Sequence, residues 1–184
     1  MGDFAVLSKW EAAALSKDSV NKVLELPLVY LVQVGFVFEA ENCEDDTFDA
    51  SIMLHVGMNI SDKELLFSEM ARVTKPDGSI VVYDVMRTGK DDLVFPMPWS
   101  STSEYSFVDT VDAYVKAAEN AGLELLTVDD HAEMAVSFFN NPPSDPPPVN
   151  LGHLMGTGMP EMFANARDAI NSGTISPLLL RFTN

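Results

Sequence analysis

FDASIMLHVGMNISDKELLFSEMARVTKPDGSIVVYD, residues 48–84, is the stretch that decides the fold. Its first nine residues are apolar on both faces, as a strand buried in the middle of a parallel sheet should be. "MNISDKE" then turns polar and leads into a helix expected over 61–74. Ser61 and Glu64 have the S-x-x-E spacing of a capping box, which satisfies free amides at a helix start. Leu65, Leu66, Met70 and Val73 are expected to form the buried stripe of that helix. "KPDG" (75–78) reads as a turn, with proline presetting φ and Asp-Gly tolerating positive φ. "SIVVYDV" (79–85) is a second continuously apolar strand. Strand, helix and parallel strand form one crossover unit of an α/β sheet.

Upstream, "FAVLSKWEAAALSKDSVNKVL" (4–24) has apolar residues at rough helical spacing and is expected to be a helix ended by Pro27. "LVYLVQV" (28–34) reads as a buried strand from its β-branched and aromatic content. Downstream, residues 87–107 are a long loop of the kind that often binds or covers a ligand. Asp109 or Thr110 caps a helix with Val111, Tyr114, Val115 and Ala118 as its buried face, and Gly122 stops it. "LELLTV" (123–128) is the next strand. The proline-rich "NNPPSDPPPVN" (140–150) is expected to be an extended linker. Pro160 opens a last helix to about Asn171, Gly173 closes it, and "ISPLLLRF" (175–182) is a final strand. In such sheets ligands sit beyond the carboxyl ends of the strands. That rule points to Gly35 onward, Leu54–Asn59, Asp84–Arg87 and Asp129–His131.

The chain of 184 residues is long enough for one domain with a real core. Its formal charge of −17 repels polyanions, so nucleic acid is not an expected partner. No run approaches the roughly 20 apolar residues of a membrane span. The N-terminus lacks the basic region of a signal peptide. One cysteine, Cys43, permits no internal disulfide, which fits a cytoplasmic location. The histidines, cysteine and acids show no metal-ligand spacing, so no metal is expected.

Residues 45–84, with "FVDTVDAYVKAAENAGLELLTVDD" and "LGHLMG…MFANARDAINSGTISPLLLRF" after them, resemble the class I S-adenosylmethionine (SAM) dependent methyltransferases of the ubiquinone-biosynthesis and small-molecule type. The carrying features are the acidic-then-Phe-Asp-Ala strand start and the Lys-Pro-x-Gly turn, where Asp77 replaces a family glycine. The resemblance covers roughly 28–184, and 1–27 is a divergent N-terminal helix. It implies a single domain with an incomplete Rossmann-like, mostly parallel sheet, helices on both faces and an antiparallel last strand. The family's acidic-Gly-x-Gly-x-Gly loop and first two strands have no counterpart in the sequence, and "VQVGFVFEAENC" (32–43) lacks the family's Gly-Asp pair.

The resemblance implies SAM as cofactor and methyl transfer to a small molecule. A second copy or partner chain would complete the pocket and cover the exposed sheet edge. The alternative is a catalytically inactive, truncated methyltransferase-like subunit acting through protein contacts. On the first reading His55 and Asp84 flank the acceptor, His55 as a base. Leu54, His55 and Val56 line the cofactor, and Asn59 and Trp99 meet the substrate. Each has a plainer alternative. His55 could hydrogen-bond locally, Asn59 belong to a turn, Asp84 cap a loop, Trp99 anchor one, and Leu54, Val56 and Met58 be core. His131 and His153 read as structural.

Overall fold

The structure is a computed structural model that describes residues 4–6, 43–141 and 156–184, the first three as backbone. In chain order the regular elements are β1 (Phe4–Val6), β2 (Phe48–Leu54), α1 (Lys63–Val73), β3 (Thr74–Arg87), α2 (Val111–Asn120), β4 (Glu124–Asp130), α3 (Ala132–Asn140), α4 (Met159–Asn171) and β5 (Ile175–Thr183). They build one mixed sheet in the order β1-β2-β3-β5-β4. β1, β2 and β3 run parallel, and β5 lies antiparallel between β3 and β4. This is the incomplete Rossmann-like sheet with an antiparallel last strand that the sequence implies.

Residues 48–84 fold as expected in kind, with corrections in detail. α1 begins at Lys63, and its cap is Asp62, whose carboxylate accepts the Leu65 amide at 2.9 Å. The Ser61–Glu64 capping box is therefore not the device used. The buried stripe is Leu66, Phe67, Met70 and Val73, and Leu65 is 60% exposed. Two neighbouring positions can both lie near one 3.6-residue stripe, and packing against the sheet selects the larger aromatic, whose burial contributes about 1.5–3 kcal/mol. "KPDG" lies within the run of β3. There the pairing with β2 slips between Phe48↔Thr74 and Ala50↔Ser79, and Asp77 takes φ 61°.

Phe4–Val6, expected to open a helix, is instead a short strand paired in parallel with Ala50–Ile52. The rest of the 4–24 helix, the 28–34 strand and most of the 140–150 linker lie outside the described residues. Thr110 caps α2 by accepting the Ala113 amide at 3.2 Å. The buried face of α2 is Tyr114, Ala117 and Ala118, while Val111 and Val115 are half-buried. α3 was not anticipated; it fills what the sequence left blank between the strand at 123–128 and the proline run.

The sheet has two distinct faces, set by strand alternation. On one, Met53, Ile80, Val82, Leu178, Leu180 and Phe182 pack against Leu66, Phe67 and Met70 of α1 and Tyr114, Ala117 and Ala118 of α2. On the other, Ala50, Ile52, Val81, Tyr83 and Leu179 form a second cluster, flanked by Leu54. Near the end of that face, Val85 and Ile175 meet Ala135 of α3, Ile170 of α4, and Met58.

Candidate active site

β2, β3 and β4 point their carboxyl ends to one edge of the sheet, the edge at which this architecture places ligands. His55 is the first residue past β2. Its amide still donates to the Tyr83 carbonyl at 2.8 Å, yet its backbone is left-handed, with φ 51°. A non-glycine residue in that region stores strain, and such strain concentrates at functional sites. The turn lifts the chain off the sheet into a 3-10 turn, Gly57–Asn59. Burial lowers the imidazole to about 4, so it is neutral at ordinary pH. Its ring meets Tyr83 edge-on, with centroids 4.8 Å apart.

Around His55, Leu54 and Asn59 are half-buried and reach the strand-end edge. Val56 turns the other way, into the core beneath α1, and Met58 packs with Val85 and Ile170. Trp99 is half-buried in the same cluster as Met58, and its indole N–H donates to Ser106 at 3.0 Å. The indole thus ties down its own loop. That loop is further pinned where the Phe107 amide donates to the Met58 carbonyl at 2.8 Å and the Arg87 amide to the Asp109 carbonyl at 2.9 Å.

Asp84 and His55 are not brought together. Asp84 neighbours Tyr83 in β3, so the two side chains leave opposite faces of the sheet. Tyr83 goes with His55, and Asp84 faces α2. Asp84 is 0% exposed; it accepts the Tyr114 hydroxyl at 2.8 Å and the Val85 amide at 2.9 Å. Burial raises its carboxyl to about 7, against smaller opposing pulls from Tyr114, Val85, Lys63 and Met58. Lys63 completes this buried group. Its ammonium donates to the Ile60 and Phe107 carbonyls at 2.5 and 2.9 Å and lies 5.1 Å from the centre of the Tyr114 ring. Gly57 leaves room for the group: a Cβ there would sit 2.5 Å from the Asp84 carboxylate and 2.7 Å from the Tyr114 hydroxyl. This assembly supports the His55–Asn59 turn from below and does not meet the edge where a ligand would sit.

The sequence did not single out Tyr83 or the stacking of His131. His131 follows β4 and turns its ring onto Tyr83, with centroids 5.6 Å apart. The strand-end rule had marked 129–131, but only the β3-β5-β4 pairing brings His131 beside Tyr83. No cluster of His, Cys, Asp and Glu among the described residues could hold a metal ion. No described helix is long and apolar enough to cross a membrane.

Leu54 and His55 are the residues at this edge that could line a bound cofactor. The strained turn at His55 leaves Leu54 and His55 half-buried at the end of a central parallel strand, with no hydrogen bond holding the imidazole among the described residues.

The strand order, the helices on both faces and the strand-end site define a Rossmann-like methyltransferase fold. Residues 11–82 match the family model described as a methyltransferase domain. Methyltransferase GfsG of Streptomyces halstedii is 29% identical over 92 residues, 48% of this chain and 33% of that protein. Among solved structures, a sarcosine dimethylglycine methyltransferase from Galdieria sulphuraria aligns with a TM-score of 0.58 at 17% identity, over 78% of this chain and 56% of its own. Geranyl diphosphate C-methyltransferase from Streptomyces coelicolor, bound to S-adenosyl-L-homocysteine, gives 0.57 at 18%, over 77% of this chain and 48% of its own. The matched stretch is thus about a third of the curated relative and about half of these structures. The fold is thus that of the class I SAM-dependent methyltransferases, and residues 11–82 are similar to their methyltransferase domain.

Proposed function

We propose that the protein transfers a methyl group from SAM to a small-molecule acceptor at the carboxyl edge of β2 and β3. The observation that carries this reading is His55: a strained, half-buried imidazole at the end of a central parallel strand, with the Tyr83 ring edge-on to it. The cofactor, when bound, supplies an electrophilic methyl on a sulfonium. Transfer then needs alignment and exclusion of water more than proton chemistry. Leu54 gives the cofactor an apolar wall. His55 accepts a hydrogen bond from the acceptor and orients it. At about 4 its pKa is too far below neutral for it to be a strong general base, so its contribution is chiefly positioning. Asn59 offers an amide to the acceptor from the same turn. Asp84, sealed against α2, supports the turn and does not touch the reactants.

A second reading rests on a specific feature. Among the described residues, β2 is paired on its outer side only at Ala50–Ile52, and the sequence has no glycine-rich loop. On that reading the chain is an inactive methyltransferase-like subunit, or its cofactor pocket needs a second chain to close that side. Calorimetric titration of the full chain with S-adenosylhomocysteine separates the two. Binding, with release of S-adenosylhomocysteine from SAM in the presence of acceptor and a fall of about 10²-fold in kcat for His55→Ala, supports the enzyme. No heat at millimolar ligand on folded protein removes the enzyme reading for this chain alone.

A further inference from the structure

Beneath the His55–Asn59 turn, three elements bring together an acid, a phenol and an ammonium: Asp84 of β3, Tyr114 of α2 and Lys63 at the start of α1. Asp84 and Tyr114 are 0% exposed and Lys63 is 7% exposed. The turn meets this group at three places. A methyl added at Gly57 would come 2.5 Å from the Asp84 carboxylate and 2.7 Å from the Tyr114 hydroxyl, so the turn is seated directly on them. The Met58 backbone is one of the groups that favour the ionised carboxylate. The Lys63 ammonium holds the Ile60 carbonyl at the exit of the turn, and it also holds the Phe107 carbonyl at the end of the long loop. The Phe107 amide in turn donates to the Met58 carbonyl. Turn and loop end are thus fastened to each other beside a group that can change its charge.

A change of charge on Asp84 alters these contacts. As a carboxylate it accepts at both oxygens, from the Tyr114 hydroxyl at 2.8 Å and the Val85 amide at 2.9 Å. Once it is protonated, one oxygen becomes a donor, and the Tyr114 hydroxyl can turn to accept from it. The attraction to Lys63 and the pull on Met58 weaken with the loss of charge. Lys63 then keeps Asp109 and its two carbonyls. Among the described residues, the groups facing Asp84 from α1 and α2 are Lys63 and Tyr114, while β2 and β5 present the uncharged Met53 and Leu178. Asp109 acts on Lys63 and Tyr114. An interior this closely packed has little free space in which to absorb such a change, so it passes to the backbone seated on the carboxyl. Burial places the exchange at about 7, so both forms are populated near neutral pH.

We propose that Asp84, Tyr114 and Lys63 are positioning residues for the strand-end site: gain or loss of a proton on Asp84 shifts the Gly57–Asn59 turn, and ligand binding at the edge that carries His55 and Asn59 becomes sensitive to pH. The coupling is a property of the fold, and it rests on the methyl-transfer reading above only for the identity of the ligand. None of the three residues touches that ligand. Each acts through the turn, Asp84 and Tyr114 by contact at Gly57 and Lys63 through Ile60 and Phe107.

The test uses the full chain with ¹⁵N-labelled histidine. The ring signals of His55 are assigned by their loss in His55→Gln and followed from about pH 5.5 to 8.5, above the range in which His55 itself, at about 4, takes up a proton. In the parent they should move along a single-proton curve with its midpoint at about 7. In Asp84→Asn they should stay in place. Tyr114→Phe, which removes one hydrogen bond to the carboxylate, should move the midpoint upward by about 0.5–1 pH unit. S-adenosylhomocysteine affinity, measured by calorimetry, should change at least about two-fold between pH 6 and 8 in the parent and by less in Asp84→Asn. The proposal fails if the His55 signals do not move in the parent, if they move alike in Asp84→Asn, or if Tyr114→Phe leaves the midpoint where it was. It fails also if S-adenosylhomocysteine binds equally well across the range. If the ring signals behave as expected while S-adenosylhomocysteine does not bind, the coupling of Asp84 to the turn stands and the methyl-transfer reading falls.

Discussion

Replacing Asp84 with asparagine should remove a pH dependence of stability that the folded protein carries in its core. In the fold the carboxyl is raised from 3.8 to about 7, chiefly by burial, with the Tyr114 hydroxyl and Val85 amide pulling it back. Between about pH 4 and 7 the folded chain therefore keeps a proton on Asp84 that the unfolded chain has released. The folded state binds more protons in this window, so stability falls as pH rises through it. The gap of about three pKa units, at about 1.36 kcal/mol each, amounts to about 4 kcal/mol across the window. Below pH 4 both states are protonated and the penalty vanishes; above 7 it is complete. Asparagine has the same shape and no such proton. Its carbonyl can still accept the Val85 amide, and its amide can donate to the Tyr114 oxygen. Urea unfolding, followed by tryptophan fluorescence at half-unit steps from pH 4.5 to 8, gives the free energy for both proteins. The parent should lose stability relative to Asp84→Asn at up to about 1.4 kcal/mol per pH unit up to about 7, then run parallel to it. Other carboxylates, such as Glu69 held low by its bond to Arg72, act in both proteins and cancel. A difference that stays within about 1 kcal/mol across the range would mean that Asp84 titrates as an ordinary exposed carboxyl, and the sealed network would be wrong.

Two further substitutions test how the site's turn is supported. Asp62→Ala should cost about 1 kcal/mol by losing the α1 cap, whereas Ser61→Ala should be neutral within about 0.5 kcal/mol; thermal denaturation compares the two. Gly57→Ala forces a methyl against the Asp84 carboxylate and Tyr114 hydroxyl, neither of which has space to retreat. It should destabilise by about 1–3 kcal/mol and move the His55 ring signals in the same variant.

The central crossover was legible because its signals are local. Unbroken apolar runs of six or seven residues, a polar turn and a Lys-Pro-Asp-Gly break need no tertiary information. What failed there failed for a geometric reason. Ser61 and Asp62 both offer a capping oxygen, and the choice between them depends on where the helix axis settles on the sheet. Leu65 and Phe67 flank the same stripe, and the rotation of α1 that buries Phe67 is set by the strands beneath it. α3 was missed because its apolar residues run into a proline-rich segment that drew the reading toward a linker.

The place of His55 past a strand end was legible because strand ends in parallel sheets follow from the strand itself. Asp84 was found by the same rule and given the wrong neighbour. Alternation says that Tyr83 and Asp84 point apart, but not which of them faces helices and which the open edge. That is decided by Tyr114, thirty residues on, whose hydroxyl takes the carboxylate. The Tyr83–His131 contact lay further out of reach. It exists because β5, the last strand, inserts between β3 and β4 and brings two rings 48 positions apart to 5.6 Å.

The sequence alone therefore determined the parallel crossover and where its strands end, since each follows from hydrophobic period and turn chemistry within a few residues. The tertiary structure alone decided which side chains share that edge. Facing is a property of layers packed against one another, and no local window contains both layers.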